Sequence, residues 1–248
     1  MDIVVASSRG KGIEGLLPSG TTLRWESSAG YQVLRNKALA LLPPPNSQKD
    51  RPHVYFLCGV CDITEKIGKK RDQYAECLFT KDSAHVIENI KNEIALCRSS
   101  VIRRGGLPIF ATIPRLNLCI YNNSLLSKKY TKHLLHSDKY PEMQTQINEI
   151  IDKINIYICE TNRNLEVSIP FLHTTIMKRS GKKGRTHYRY LWNLFEDGLH
   201  AGIELNKLWA ESLTIAMGKN REKEQINDDE MRSPKRSWRQ EKRPKLTH

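Results

Sequence analysis

The amino-acid sequence predicts an α/β fold in which a parallel sheet is covered by helices on both faces. Three observations lead there. Short apolar runs alternate along the chain with longer stretches of helical periodicity. The runs are continuously apolar, as strands buried on both sides require. The length, 248 residues, allows one large α/β domain or two small ones.

The first strand is Ile3 to Ala6, stopped by Ser7-Ser8-Arg9-Gly10-Lys11-Gly12. A second extended stretch, residues 21–27, ends at Ser28-Ala29-Gly30. A helix follows from Tyr31 to Leu42, closed by Pro43-Pro44-Pro45. Residues 53–60, HVYFLCGV, form the third strand, before Cys61-Asp62. Val86, Ile90, Ile94, Ala95 and Val101 are spaced for a helix over 82–101, which Arg104-Gly105-Gly106 ends. LPIFATI, residues 107–113, is the fourth strand. Ile147, Ile150, Ile151, Ile154 and Ile158 mark one face of the next helix, and LEVSIPFL, residues 165–172, is the fifth strand. The last helix runs from Ala201 to Met217. Residues 1–217 are therefore expected to fold, and residues 218–248 to be a disordered basic tail, since they lack periodic apolar residues.

Forty Lys and Arg against 27 Asp and Glu give a net charge of +13, which favours nucleic acid, acidic proteins or anionic membrane as neighbours. Two basic clusters stand out. Lys178, Arg179, Lys182, Lys183 and Arg185 read as a loop between the fifth strand and the last helix, either merely solvated or in contact with RNA or DNA. Lys235, Arg236, Lys242, Arg243 and Lys245 read as a nucleic-acid-binding arm or nuclear-import signal. No apolar run reaches membrane-span length and Met1 leads directly into a strand, so an intracellular protein, nuclear or cytoplasmic, is expected.

Six cysteines suit that compartment, where they would be reduced. Cys58 and Cys61 form a CxxC. As a zinc motif it lacks a second ligand pair of matching spacing; as a dithiol it would follow a strand, which it does. Cys77, Cys97, Cys119 and Cys159 read as small buried hydrophobes. No metal constellation is visible, no cofactor is expected, and the single His53, His85, His133, His136, His173 and His187 take no site role.

In a parallel sheet, functional residues gather at the carboxyl ends of the strands. Ser7-Ser8, Gly30, Cys61-Asp62, and Asp197 with His200 all fall there. Asp197 and His200 admit two readings: a helix N-cap with a surface residue of the first turn, or two members of a catalytic triad. Ser7 and Ser8 are likewise either turn residues or nucleophile candidates. Arg9 and Lys11 flank them and could together hold an anion such as phosphate.

In order and context these blocks resemble the SGNH hydrolase superfamily, the GDSL-type esterases, over residues 2–217. Ala6-Ser7-Ser8 stands where that family has Gly-Asp-Ser, and Gly30 matches its second block. Gly59-Val60-Cys61-Asp62 stands for Gly-x-Asn-Asp, and Asp197-Gly198-Leu199-His200 for Asp-x-x-His. The resemblance implies a flavodoxin-like three-layer α/β/α sandwich with a five-stranded parallel sheet. It also implies a serine esterase with Ser8 as nucleophile, His200 as base and Asp197 as its orienter, acting on a carboxylic ester. The oxyanion donors would be the Ser8 and Gly30 N–H groups and the side chain at position 61. Cysteine there, a weak donor in place of an asparagine amide, predicts a slow enzyme. The texture of YFLCGVCDIT, ATIPRLN and LFEDGLH is also similar to SGNH-like proteins of tyrosine-recombinase retrotransposons of the Ngaro type. In that setting a domain with weakened chemistry would bind nucleic acid through its basic loops and tail.

Overall fold

A computed structural model describes residues 1–44, 51–69, 74–79, 81–128, 130–180 and 187–232. In chain order the elements are β1 (Asp2–Ala6), β2 (Thr21–Trp25), α1 (Tyr31–Leu41), β3 (His53–Leu57), α2 (Val60–Ile63), β4 (Glu65–Lys69) and β5 (Tyr74–Leu78). There follow α3 (Ser83–Arg103), β6 (Leu107–Phe110), α4 (Leu118–Ser127), α5 (Tyr140–Asn164), β7 (Met177–Ser180), β8 (His187–Tyr190) and α6 (Ile203–Arg232). The central sheet is four-stranded, parallel and ordered β2-β1-β3-β6.

Both faces of the sheet are buried, and alternate residues of each strand feed different cores. Ile3, Val5, Val54, Phe56 and Phe110 join one core with the apolar stripes of α1, α3 and α5. Val4, Ala6, Tyr55, Leu57 and Ile109 join the other with Leu205, Trp209, Leu213 and Met217 of α6. The continuous apolar runs follow from this two-sided burial. Asp82 caps α3, its Oδ1 accepting the His85 N–H at 2.8 Å.

The fifth strand expected at residues 165–172 is absent: this segment has no strand pairing and meets the β6 side through the Thr112 N–H to the Pro170 carbonyl, 3.1 Å. The cause is a side chain acting as a strand. The Asn162 amide accepts from the Phe110 N–H (3.0 Å) and donates to the Phe110 carbonyl (2.7 Å), and Asn155 treats Ile113 the same way (2.7 and 3.0 Å). Both asparagines sit on α5, so that helix satisfies the backbone where a further strand would have paired.

The last helix is longer than expected. It runs on through Arg232, so residues 218–232 are helical and the helix does not stop at Met217. Its inward face continues with polar residues instead of apolar ones. Asn220 is buried, bonding the Ser168 backbone and Tyr55 Oη. Arg221 grips Asp2 with Nε and Nη2 (3.0 and 2.7 Å), and Glu224 lies 2.8 Å from His53 Nε2. Residues 233–248 lie outside the described residues, as does the arm expected at Lys235, Arg236, Lys242, Arg243 and Lys245.

Two antiparallel hairpins, β4–β5 and β7–β8, and the helix α4 had no counterpart in the sequence reading. β7–β8 occupies the place read as a basic loop. Lys178 pairs with Arg189 and Arg179 with Tyr188 on an exposed ribbon; Lys182, Lys183 and Arg185 fall outside the described residues.

Candidate active site

Ser7 continues from β1, its N–H bonded to the Leu57 carbonyl at 3.0 Å, and its side chain is buried. Ser8 opens a 3₁₀ turn, Ser8–Ile13, and is half-buried. Two glycines let this turn lie close to its neighbours. A Cβ on Gly10 would fall 2.3 Å from Ala6 Cβ, and one on Gly12 would fall 2.0 Å from Asn206 Nδ2 in the first turn of α6. The serine turn and the start of α6 are thus in direct contact, and His200 precedes that helix by three residues.

Asp197 and His200 are held by their own loop. The bridge Phe195 to Ala201 closes it, with the Glu196 N–H on the His200 carbonyl at 2.9 Å. Asp197 Oδ1 accepts from the N–H groups of Leu199 (3.1 Å) and His200 (2.8 Å), while Oδ2 lies 2.9 Å from His200 Nδ1. The aspartate therefore caps a turn but not a helix, since α6 begins only at Ile203. Gly198, at φ +80°, makes the turn possible: a Cβ there would meet the Asn117 carbonyl at 2.7 Å. Burial pushes the Asp197 carboxyl up, but the His200 and Leu199 hydrogen bonds outweigh it and hold it at about 2. An ionised Asp197 fixes the proton on Nδ1 and leaves Nε2 as the basic nitrogen. Lys128 Nζ, half-exposed, lies 3.6 Å from Oδ2.

Gly30 caps α1, and Asp62 reaches across to the same point, its Oδ1 accepting the Tyr31 N–H at 3.2 Å. A Cβ on Gly30 would lie 2.2 Å from that oxygen. Burial raises the Asp62 carboxyl to about 6, against the Tyr31 hydrogen bond. Among the described residues, the N–H groups of Ser8 and Gly30 bond no backbone carbonyl, leaving both donors free for an incoming oxygen. Cys61, in α2, has its thiol raised to about 11 by burial and by Asp62, so it is a neutral S–H. Burial raises Cys58 as well, which is the reverse of what a reactive dithiol needs.

Two neighbours escaped the sequence reading. The Tyr121 ring lies 6.0 Å from the His200 ring; burial, Cys77, Asp197 and Cys61 together push its hydroxyl up to about 12. Lys128 is the second. Arg9, which the sequence placed beside the serines, is buried and within the fields of Cys61 and Asp197, with Nη1 donating to the Pro114 carbonyl at 2.9 Å. Lys11 instead lies over the Trp25 ring at 5.9 Å, while Arg9 faces the Trp209 ring at the same distance, so the two cations are engaged with different aromatic rings. Among the described residues the side-chain hydrogen bond of His200 is the one from Nδ1 to Asp197, and none joins it to Ser8 Oγ, a contact that often tightens only when substrate binds.

Solved structures carry the same fold. A GDSL-like lipase from Bacteroides thetaiotaomicron superposes with a TM-score of 0.54 at 10% identity, over 88% of this chain and 87% of that one. A member of the lipolytic G-D-S-L family from Veillonella parvula gives 0.51 at 12% identity, over 88% and 98%. No protein-family model and no curated protein sequence matches the chain. The chain is a mixed α/β protein with a central parallel sheet, and it shares the fold of these GDSL-type lipolytic proteins.

Proposed function

We propose that the protein is a slow serine hydrolase of carboxylic esters, of the SGNH type, with Ser8, His200 and Asp197 as its triad. The observation that carries the reading is the Asp197 carboxylate bonded to His200 Nδ1 beside the serine turn. His200 Nε2 takes the Ser8 proton as Oγ attacks the acyl carbon. The negative oxygen is met by the Ser8 and Gly30 N–H groups and, weakly, by Cys61. The proton then passes to the leaving alcohol, and water releases the acid by the same steps reversed. Ser8 is favoured over Ser7 because Ser7 is only 2% exposed.

The test is hydrolysis of a short activated ester by the full-length protein. Ser8→Ala and His200→Ala remove the rate, Ser7→Ala retains it, and Cys61→Asn raises it by supplying an amide donor. A rate identical in wild type, Ser8→Ala and His200→Ala would overturn the reading.

A second reading rests on β7–β8, where Lys178, Arg179, Tyr188 and Arg189 stand exposed on one two-stranded ribbon. This ribbon, with the basic segment after residue 232, suits phosphate contacts to RNA or DNA. It also fits the retroelement context that the sequence resembles, with the protein nuclear or cytoplasmic. Lys178→Ala with Arg189→Ala should weaken binding of a single-stranded oligonucleotide and flatten its salt dependence; an unchanged salt slope would count against it. No helix among the described residues is long and apolar enough to cross a membrane.

A further inference from the structure

We propose that a cavity beside the serine turn binds one small anion of halide size, held by the Arg9 guanidinium. The cavity is lined by Arg9, Leu57, Cys58, Thr112, Pro114, Leu172 and Trp209, with about 260 Å³ of empty space counting the part open to solvent. Its enclosed part has room for about one water-sized particle. Neither Ser8 nor His200 lines it, so it is separate from the reacting groups.

Arg9 is only 7% exposed, and its Nε and Nη2 are buried without an acceptor. Among the described residues no carboxylate lies within ion-pair distance of it; its contacts are the Pro114 carbonyl and the Trp209 ring, 5.9 Å away. Burial pulls its pKa down to about 10, which still leaves a full charge at neutral pH. A buried guanidinium with two idle donors is costly, and Asp197, whose field it feels, is committed to His200 and Leu199.

One particle can answer both deficits. A water would accept the two N–H groups and could return one hydrogen to the second lone pair of the Pro114 carbonyl, but it brings no charge, and its hydrogens otherwise face the apolar Leu57, Leu172 and Trp209. The Thr112 hydroxyl cannot easily receive them, being engaged with the Pro170 carbonyl and His173 Nδ1. A halide needs donors only and brings the missing negative charge. Sulfate or phosphate would need more room and more donors than the cavity offers.

The unfolding midpoint of the full-length protein should rise saturably as chloride replaces gluconate at constant ionic strength, because a ligand of the native state stabilises it by mass action. Bromide should act like chloride. Arg9→Met, which fills similar space without charge, should give equal midpoints in both salts. Since that variant could fail to fold, crystals of the wild type soaked in bromide supply a second readout, an anomalous peak in hydrogen-bond contact with Nε and Nη2. Equal wild-type midpoints in the two salts, a chloride effect that survives in Arg9→Met, or bromide absent from the cavity would each overturn the proposal. All these readouts are independent of esterase activity.

Discussion

At the residue scale the site is built by small groups that let polar ones converge. Gly30 gives Asp62 its place at the head of α1, and Gly198 gives Asp197 its turn. Gly30→Ala should lower stability by about 1–3 kcal/mol, since the new methyl overlaps a buried carboxylate oxygen; denaturant unfolding measures it. Asp197 makes a pH prediction whose sign is fixed by its depressed pKa. Its unfolded value is near 3.8 and its folded value about 2, so it contributes stability above pH 4 that is lost as pH falls from about 4 to about 2. The contribution is about 2 kcal/mol. Asp197→Asn should therefore be less stable than wild type at pH 6, the difference shrinking as the pH approaches 2. A constant difference over that range would refute it. Gly30 and Cys61 could be picked out in the sequence because each stands in a short block after a strand, and Asp197 with His200 because they form a compact Asp-x-x-His block before the last helix, although among the described residues no fifth strand of the parallel sheet precedes it. Tyr121 and Lys128 could not, because they meet His200 and Asp197 from a distant element.

At the element scale, the sequence's apolar runs located β1, β3, β6, α1, α3 and α5 because two-sided burial writes itself into hydrophobicity. It misplaced a fifth strand because LEVSIPFL has the composition of a strand, while its would-be partner backbone is already bonded by Asn155 and Asn162. The same device recurs at Asn122, whose amide pairs both backbone groups of Cys77 (2.7 and 2.9 Å), and at Asn220 with Ser168. A buried Asn on a helix is a polar interruption in the periodic pattern, and no propensity announces which peptide it will imitate. Asn162→Ala would strand the buried N–H and carbonyl of Phe110 and should cost about 2–5 kcal/mol. Exchange of the Phe110 amide hydrogen should quicken more than that of Val5 on the central strand; equal effects on both would mean a global loss and not a local one.

At the scale of the whole molecule, α6 joins two things the sequence reading had kept apart, the folded domain and the charged terminus. Its first half covers a sheet face with Leu205, Trp209 and Leu213. Its second half, read as tail for want of apolar residues, ties Asp2, His53, Tyr55 and Ser168 through Arg221, Glu224 and Asn220. Asp2 and His53 sit at the amino ends of β1 and β3, away from the carboxyl ends where the candidate site lies. Two truncations separate the roles. Ending the chain after Met217 leaves Asp2 and His53 buried without Arg221 and Glu224, and should lower the unfolding midpoint markedly, by about 2–5 kcal/mol of stability. Ending it after Arg232 keeps every one of these contacts, so its midpoint should match that of the full chain. It does remove six Lys and Arg against one Glu. If those cations touch phosphates, the dependence of log K on log salt for a single-stranded oligonucleotide should flatten in the longer truncation while stability stays constant. Matching salt slopes for the full chain and the 232-residue form would leave β7–β8 as the basic surface to explain any binding. Equal midpoints for the 217-residue form and the full chain would mean that the polar half of α6 adds nothing to the fold.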